Sequence, residues 1–213
     1  MPLFRHAEKV ILFIHIPKTG GSTVEDVLCA CGAKQALKAP KSVGFSHSTP
    51  QHMHWEVTRR WIPPHFYNYS FAIVRNPFAR LASEYRWRGK FAKSPLLPFD
   101  RWVEAQFRKY VDDPFILDNH IRPQHEFIGE KVQVFRLENG LDKPLRACLM
   151  HLGLPAKPES LHQANQSKSG TISASPATIE RIAAFYADDF ATFGYSATEV
   201  PKGVFQAFKS HVD

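Results

Sequence analysis

Apolar residues in this chain gather in short unbroken runs, separated by segments where they recur every three or four positions. The run "KVILFIHI" (9–16) has almost no polar interruption, the pattern of a strand buried on both faces. Residues 22–31 follow as a helix. Ser22 or Thr23 stands near its start, and Glu25 and Asp26 lie in its first turn, where the helix dipole favours acids. "SVGFSH" (42–47) and "SFAIVR" (70–75) predict two further strands, the second broken by Asn76-Pro77 and followed by a helix over 78–88. "KVQVFRLE" (131–138) predicts a fourth strand, and "KPLRACLMHLG" (143–153) a helix stopped by Gly153 and Pro155. Apolar positions 179, 182, 183, 186 and 190 share one helical face, which predicts a single helix over 175–190 with Pro176 in its first turn. "KSPLLPFD" (93–100) reads as a loop bordering a cleft. Strands alternating with helices predict one α/β domain over residues 1–213, a mainly parallel sheet flanked by helices.

Composition narrows this picture. A hydrophobic content of 44% over 213 residues supports one packed core rather than a disordered chain. No apolar run approaches the roughly 20 residues that span a bilayer. Arg5, Glu8 and Lys9 precede the first apolar run and no small-residue cleavage site follows it, so this segment reads as a core strand and not a signal peptide. Cys29, Cys31 and Cys148 form no Cys-x-x-Cys pattern, which fits a reducing compartment. A soluble cytoplasmic protein is the expectation. The net charge of +7 suits a polyanionic partner, whether nucleic acid, an acidic glycan or a multiply phosphorylated cofactor, although solubility alone accounts for it equally well.

The chemistry concentrates in two stretches. In "HIPKTGGST" a strand runs into a glycine turn and then a helix, which places backbone N–H groups and a positive helix end around an anion. The usual nucleotide loop has its lysine after the second glycine; here Lys18 precedes Gly20 and Gly21, which disfavours an ordinary ATPase or GTPase. In "FAIVRNPFARLASEY" Arg75 closes a strand and Ser83 lies two turns into the following helix, a pair suited to one phosphate through a forked guanidinium and a hydroxyl.

Together these stretches resemble the sulfotransferases that use 3′-phosphoadenosine 5′-phosphosulfate (PAPS), in particular their carbohydrate-type branch. "SVGFSHSTPQ", "RPQHEFI", "VQVFRLENGLDKPL", "NQSKSG" and "FYADDFATFGY" extend the resemblance in order over most of the chain. It implies the family's P-loop-like fold. Lys18 would contact the 5′-phosphosulfate and stabilise the leaving phosphate, with Thr19, Gly20, Gly21, Ser22 and Thr23 supplying the loop's donors. Arg75 and Ser83 would hold the 3′-phosphate, and 3′-phosphoadenosine 5′-phosphate (PAP) would be the product.

An acceptor hydroxyl must lose a proton as it attacks sulfur, so a base is needed within hydrogen-bond reach. His47, at the end of a predicted strand, stands where the family has a histidine base; His52 and His54 are its rivals. Those three histidines lack the further ligands of a convincing zinc site, and no metal is expected. His15 reads as a core or cleft histidine. Arg122, Gln124 and His125 fall where the resemblance places the acceptor, and Ser167, Lys168 and Ser169 where a polar loop would close over the nucleotide. Arg80, Arg86, Arg88 and Lys90 read as a solvated helix face or, alternatively, a track for an anionic glycan. The expected activity is in-line sulfuryl transfer to a hydroxyl-bearing acceptor, most naturally a carbohydrate, with no nucleic acid and no transmembrane segment involved. A nucleotide-dependent kinase on a related loop and a non-catalytic polyanion binder are the alternatives.

Overall fold

A computed structural model describes residues 2–38, 47–155 and 170–207. Strands β1 (Leu3–His6) and β2 (Lys9–Ile14) form an antiparallel hairpin turned at Ala7 and Glu8. The short β3 (Lys34–Ala36) pairs antiparallel with β1. On the other side, β4 (Tyr69–Val74) runs parallel to β2, and β5 (Gln133–Arg136) runs parallel to β4. The order β3-β1-β2-β4-β5 therefore makes a mixed sheet, which corrects the mainly parallel expectation. The physical reason is the Ala7-Glu8 turn, because so short a link can join only antiparallel neighbours.

The strand predicted over 9–16 ends at Ile14, and both of its faces are buried as its continuous apolarity implied. Ile11 and Phe13 pack with Phe71, Ile73 and Phe135 against two helices, α1 (Gly21–Ala30) and a later helix at Asp142–Leu152. Val24, Val27 and Leu28 come from the first of these, and Leu145, Leu149 and Leu152 from the second. The alternate residues Leu12, Ile14, Ala72 and Val74 are just as fully buried. At roughly 1.5–3 kcal/mol for each large apolar side chain buried, this layer anchors the ends of β2 and β4, where the chemistry-bearing residues begin.

The described residues form two compact units. The first contains β1–β5, α1, α2 (Trp55–Trp61), the Asp142–Leu152 helix and the segment Leu117–His120. The second contains α3 (Pro77–Phe91), α4 (Phe99–Asp112) and the segment Ile121–His125. Numbering the Asp142–Leu152 helix α5, the second unit also holds α6 (Pro176–Phe185), α7 (Ala187–Phe193) and the parallel pair β6 (Ile172–Ala174) and β7 (Phe205–Ala207). Asn76 caps α3, accepting from the N–H groups of Phe78 and Ala79, and Pro77 takes the first helical position, where its missing N–H costs nothing. Phe107 of α4 stacks on Phe185 of α6 with centroids 3.9 Å apart.

Two expectations change here. The single helix over 175–190 is broken at Tyr186, whose hydroxyl donates to the Ile121 carbonyl at 2.8 Å. The loop read over 93–100 gives way at Phe99 to α4. The strand predicted over 42–47 lies, except for His47, outside the described residues. Among the described residues no helix is long and apolar enough to cross a membrane.

Candidate active site

The turn between β2 and α1 is built by its sequence. Thr19 is fully buried and its hydroxyl donates to the Ile16 carbonyl at 2.8 Å, tying the turn to the end of the strand. Lys18 (φ 68°) and Gly20 (φ 86°) both adopt left-handed backbone, easy for glycine and costly for lysine. Gly20 is the N-cap of α1 and brings no side-chain acceptor, so the helix's opening N–H groups present their positive end to whatever lies beyond the turn. Ser22 is exposed and Thr23 half-buried in that first turn. Arg75, the residue after β4, donates from Nη1 to the Lys18 carbonyl at 3.2 Å. The basic residues of the two motifs thus meet at one turn. Ser83 is a half-buried residue of α3 in the second unit.

Gly21 has a separate reason to be glycine. A Cβ there would lie 2.2 Å from His15 Nε2, inside any real contact distance, so the imidazole lies directly on the start of α1. His15 is buried and its Nδ1 stands 2.5 Å from Glu25 Oε1 on α1. Gln51 Nε2 donates to the same carboxylate oxygen at 2.7 Å, and Lys38 Nζ lies 3.2 Å from the other. Burial dominates His15 and lowers its pKa to about 4 despite the Glu25 contact, so the ring is neutral at pH 7. Burial alone would raise Glu25, but the hydrogen bond and charge of His15, with Gln35 and Gln51, outweigh it and bring the carboxyl to about 2. A neutral imidazole facing a carboxylate must donate from Nδ1, which leaves the Nε2 lone pair over Gly21.

A second histidine–carboxylate pair stands beside the first. His52 Nδ1 is 2.7 Å from Asp118 Oδ2, which also accepts from the Thr49 hydroxyl at 2.8 Å. Asp118 Oδ1 accepts from the Thr49 N–H at 2.6 Å. Burial opposes ionisation of Asp118, but His52 and Thr49 prevail and its pKa is lowered. The His52 ring meets His15 edge-on at 5.1 Å and His120 edge-on at 4.9 Å. His52, Asp118 and His120 bring atoms able to bind a metal within 4.8 Å of one another. Within that grouping Asp118 accepts from both the hydroxyl and the N–H of Thr49 and stands against His52 Nδ1, so His52 and Asp118 form a hydrogen-bonded dyad.

The remaining residues singled out by sequence are distributed unevenly. His47 is exposed, and His54 is a buried residue at the N-cap of α2 whose carbonyl accepts from Thr58. In the second unit, Gln124 is fully buried, its N–H donating to Asp189 Oδ2 at 2.8 Å, while His125 reaches Asp189 Oδ1 through both its N–H and Nδ1. Arg122 is buried with its guanidinium over the Phe115 ring. Arg80, read as part of a solvated face, is instead buried and donates to the Arg122 carbonyl, and Arg88 pairs with the buried Glu84 at 2.6 Å. Ser167, Lys168 and Ser169 lie outside the described residues.

Sequence reading missed Asp118, His120 and Gln51, and saw Glu25 only as an acid suited to a helix start. The partners of the two carboxylates lie at sequence separations with no helical or strand period, so only the fold brings them together. No curated protein and no solved structure matches the chain. A family model described as "Sulfotransferase family" does match, over residues 1–196. With that match spanning nearly all of the chain, and with the Lys18 turn and Arg75 joined at its centre, the chain belongs to the sulfotransferase family.

Proposed function

We propose that this protein transfers a sulfuryl group from PAPS to a hydroxyl of an acceptor, most naturally a carbohydrate, on a P-loop-like scaffold. The observation that carries the reading is the hydrogen bond from Arg75 to the Lys18 carbonyl, which joins the two motifs at the helix start. Lys18 and the N–H groups of Thr19 to Thr23 take the 5′-phosphosulfate, where a helix N-terminus and a cation favour the charge. Arg75 takes the 3′-phosphate. A histidine from the 47–54 segment removes the acceptor proton. The acceptor oxygen then bonds to sulfur as the bond from sulfur to the 5′-phosphate oxygen breaks. PAP leaves with that electron pair, and the proton passes from the imidazolium to water. Lys18 contributes most as charge develops on the departing phosphate.

Calorimetry with PAP and AMP tests the donor assignment. PAP should bind at least 30-fold more tightly, the low end of roughly 2–5 kcal/mol for leaving a desolvated arginine without its phosphate. Equal affinities would overturn it. A screen of hydroxyl acceptors with labelled donor, read as the mass gain of one sulfate, tests the acceptor class.

A further inference from the structure

We propose that His52 is the base of this reaction and that Asp118 is the positioning residue that prepares it, an inference that rests on the sulfuryl-transfer reading above. A carboxylate only accepts, so the contact between His52 Nδ1 and Asp118 Oδ2 puts the ring's proton on Nδ1 and the lone pair on Nε2, as a base requires. The ring is held on both sides, edge-on to His15 and to His120, and the His52 carbonyl accepts from Asn119 Nδ2 at 2.8 Å. Asp118 and Asn119 both reach His52 from an unusual backbone. Leu117, Asp118 and Asn119 all have left-handed φ, at 53°, 58° and 62°, a run of backbone that residues with a Cβ rarely adopt. That strain falls where two successive side chains fasten one residue, Asp118 at the His52 ring and Asn119 at the His52 backbone carbonyl.

Position points the same way. His15 lies on Gly21 at the start of α1, and His52 is the next ring out from His15, one imidazole removed from the turn that would hold the phosphosulfate. The groups facing His52 are Asp118 and His120 from the 117–120 segment, Thr49 from its own, and His15 at the end of β2, with Glu25 of α1 behind it. His47 is exposed.

The test compares wild type with H47A, H52A and D118N, using PAP for binding and desulfated heparosan and chondroitin oligosaccharides as acceptors. H52A should lose turnover by about 100- to 10,000-fold, the usual share of a general base, and keep PAP affinity within about 3-fold. H47A should lose less than about 5-fold. D118N should lower kcat with little change in KM, because the ring would no longer be held in its Nδ1–H tautomer and orientation. Long-range imidazole ¹⁵N spectra of PAP-bound protein give an acceptor-independent readout: His52 protonated on Nδ1 in the wild type, with that tautomer preference lost in D118N. Collapse of H47A with near-normal H52A overturns the proposal, as does a His52 protonated on Nε2. A D118N enzyme that melts earlier but keeps its kcat and its Nδ1-protonated His52 makes Asp118 merely structural, which also overturns it. A wild type that binds no PAP defeats the donor reading first, a result distinct from any of these.

Discussion

Replacing Gly21 with alanine puts one methyl group where the structure has an imidazole. The three nearest atoms the new Cβ would meet all belong to the His15 ring, at 2.2, 2.4 and 2.6 Å. The ring cannot simply swing away, since Nδ1 is bound to Glu25 inside a buried pocket shared with Gln51. Forcing it aside costs about 1–3 kcal/mol of overpacking, plus about 1.5–3 kcal/mol for a lost hydrogen bond to a charged partner. Alanine returns about 0.5–1 kcal/mol through helix propensity. The net loss is about 2–5 kcal/mol, equivalent to a fall of about 5–20 °C in Tm for a chain of this size. Urea and thermal unfolding of G21A, H15A and the double variant measure it. Once the ring is gone the clash is gone, so in the H15A background G21A should cost under about 1 kcal/mol. Strict additivity, within about 0.5 kcal/mol, would refute the reasoning, because independent sites add and colliding ones do not.

K18A should lower kcat by about 100- to 1,000-fold with a smaller effect on PAP affinity; a raised KM at normal kcat would make the lysine a plain binding contact. R75A should abolish the preference for PAP over AMP in calorimetry while far-UV circular dichroism and Tm stay near wild type. Stability should also depend on pH through His15, whose pKa drops from 6.5 to about 4 on burial. The unfolded chain takes up a proton that the folded one refuses, so the full contribution is present above pH 6.5. On the order of 3 kcal/mol is then lost as pH falls to about 4. Glu25, held down to about 2, extends the loss below pH 4.5. Urea titrations of H15Q across pH 7 to 4 should show a flatter dependence than wild type, and equal slopes would exclude His15 as the cause.

Much of the framework was legible because it is local. Strands β2 and β4 announced themselves as continuous apolar runs, and Asn76-Pro77 marked the start of α3 through cap chemistry that needs no tertiary context. Helix α4 was missed, although its buried Phe99, Trp102, Val103 and Phe107 keep a helical period, because the prolines before it favour a loop. Strands β1 and β3 are too short to show a period and exist because a neighbouring strand pairs with them. The break at Tyr186 follows from partners far away in sequence: its hydroxyl goes to Ile121, and Asp189 turns inward to Gln124 and His125. The candidate site divides likewise. Lys18 and Arg75 sit at strand ends that pattern alone identifies. Asp118 needs a left-handed turn containing a leucine, which no propensity would suggest.

The sheet order also sets a sequence in time. The β1–β2 hairpin closes over a two-residue turn, an event of microseconds. Pairing β2 with β4, by contrast, brings Ile11 to Tyr69, and pairing β4 with β5 brings Phe71 to Gln133, so both must close long stretches of chain before any contact rewards them. Lys18 follows β2 and Arg75 follows β4, which means that the hydrogen bond between them waits on the slower pairing. In a refolding experiment, hairpin signals should therefore rise well before the protein gains affinity for PAP. A nucleotide added to the refolding mixture would then act as a reporter of the last cooperative step rather than as a template for the first.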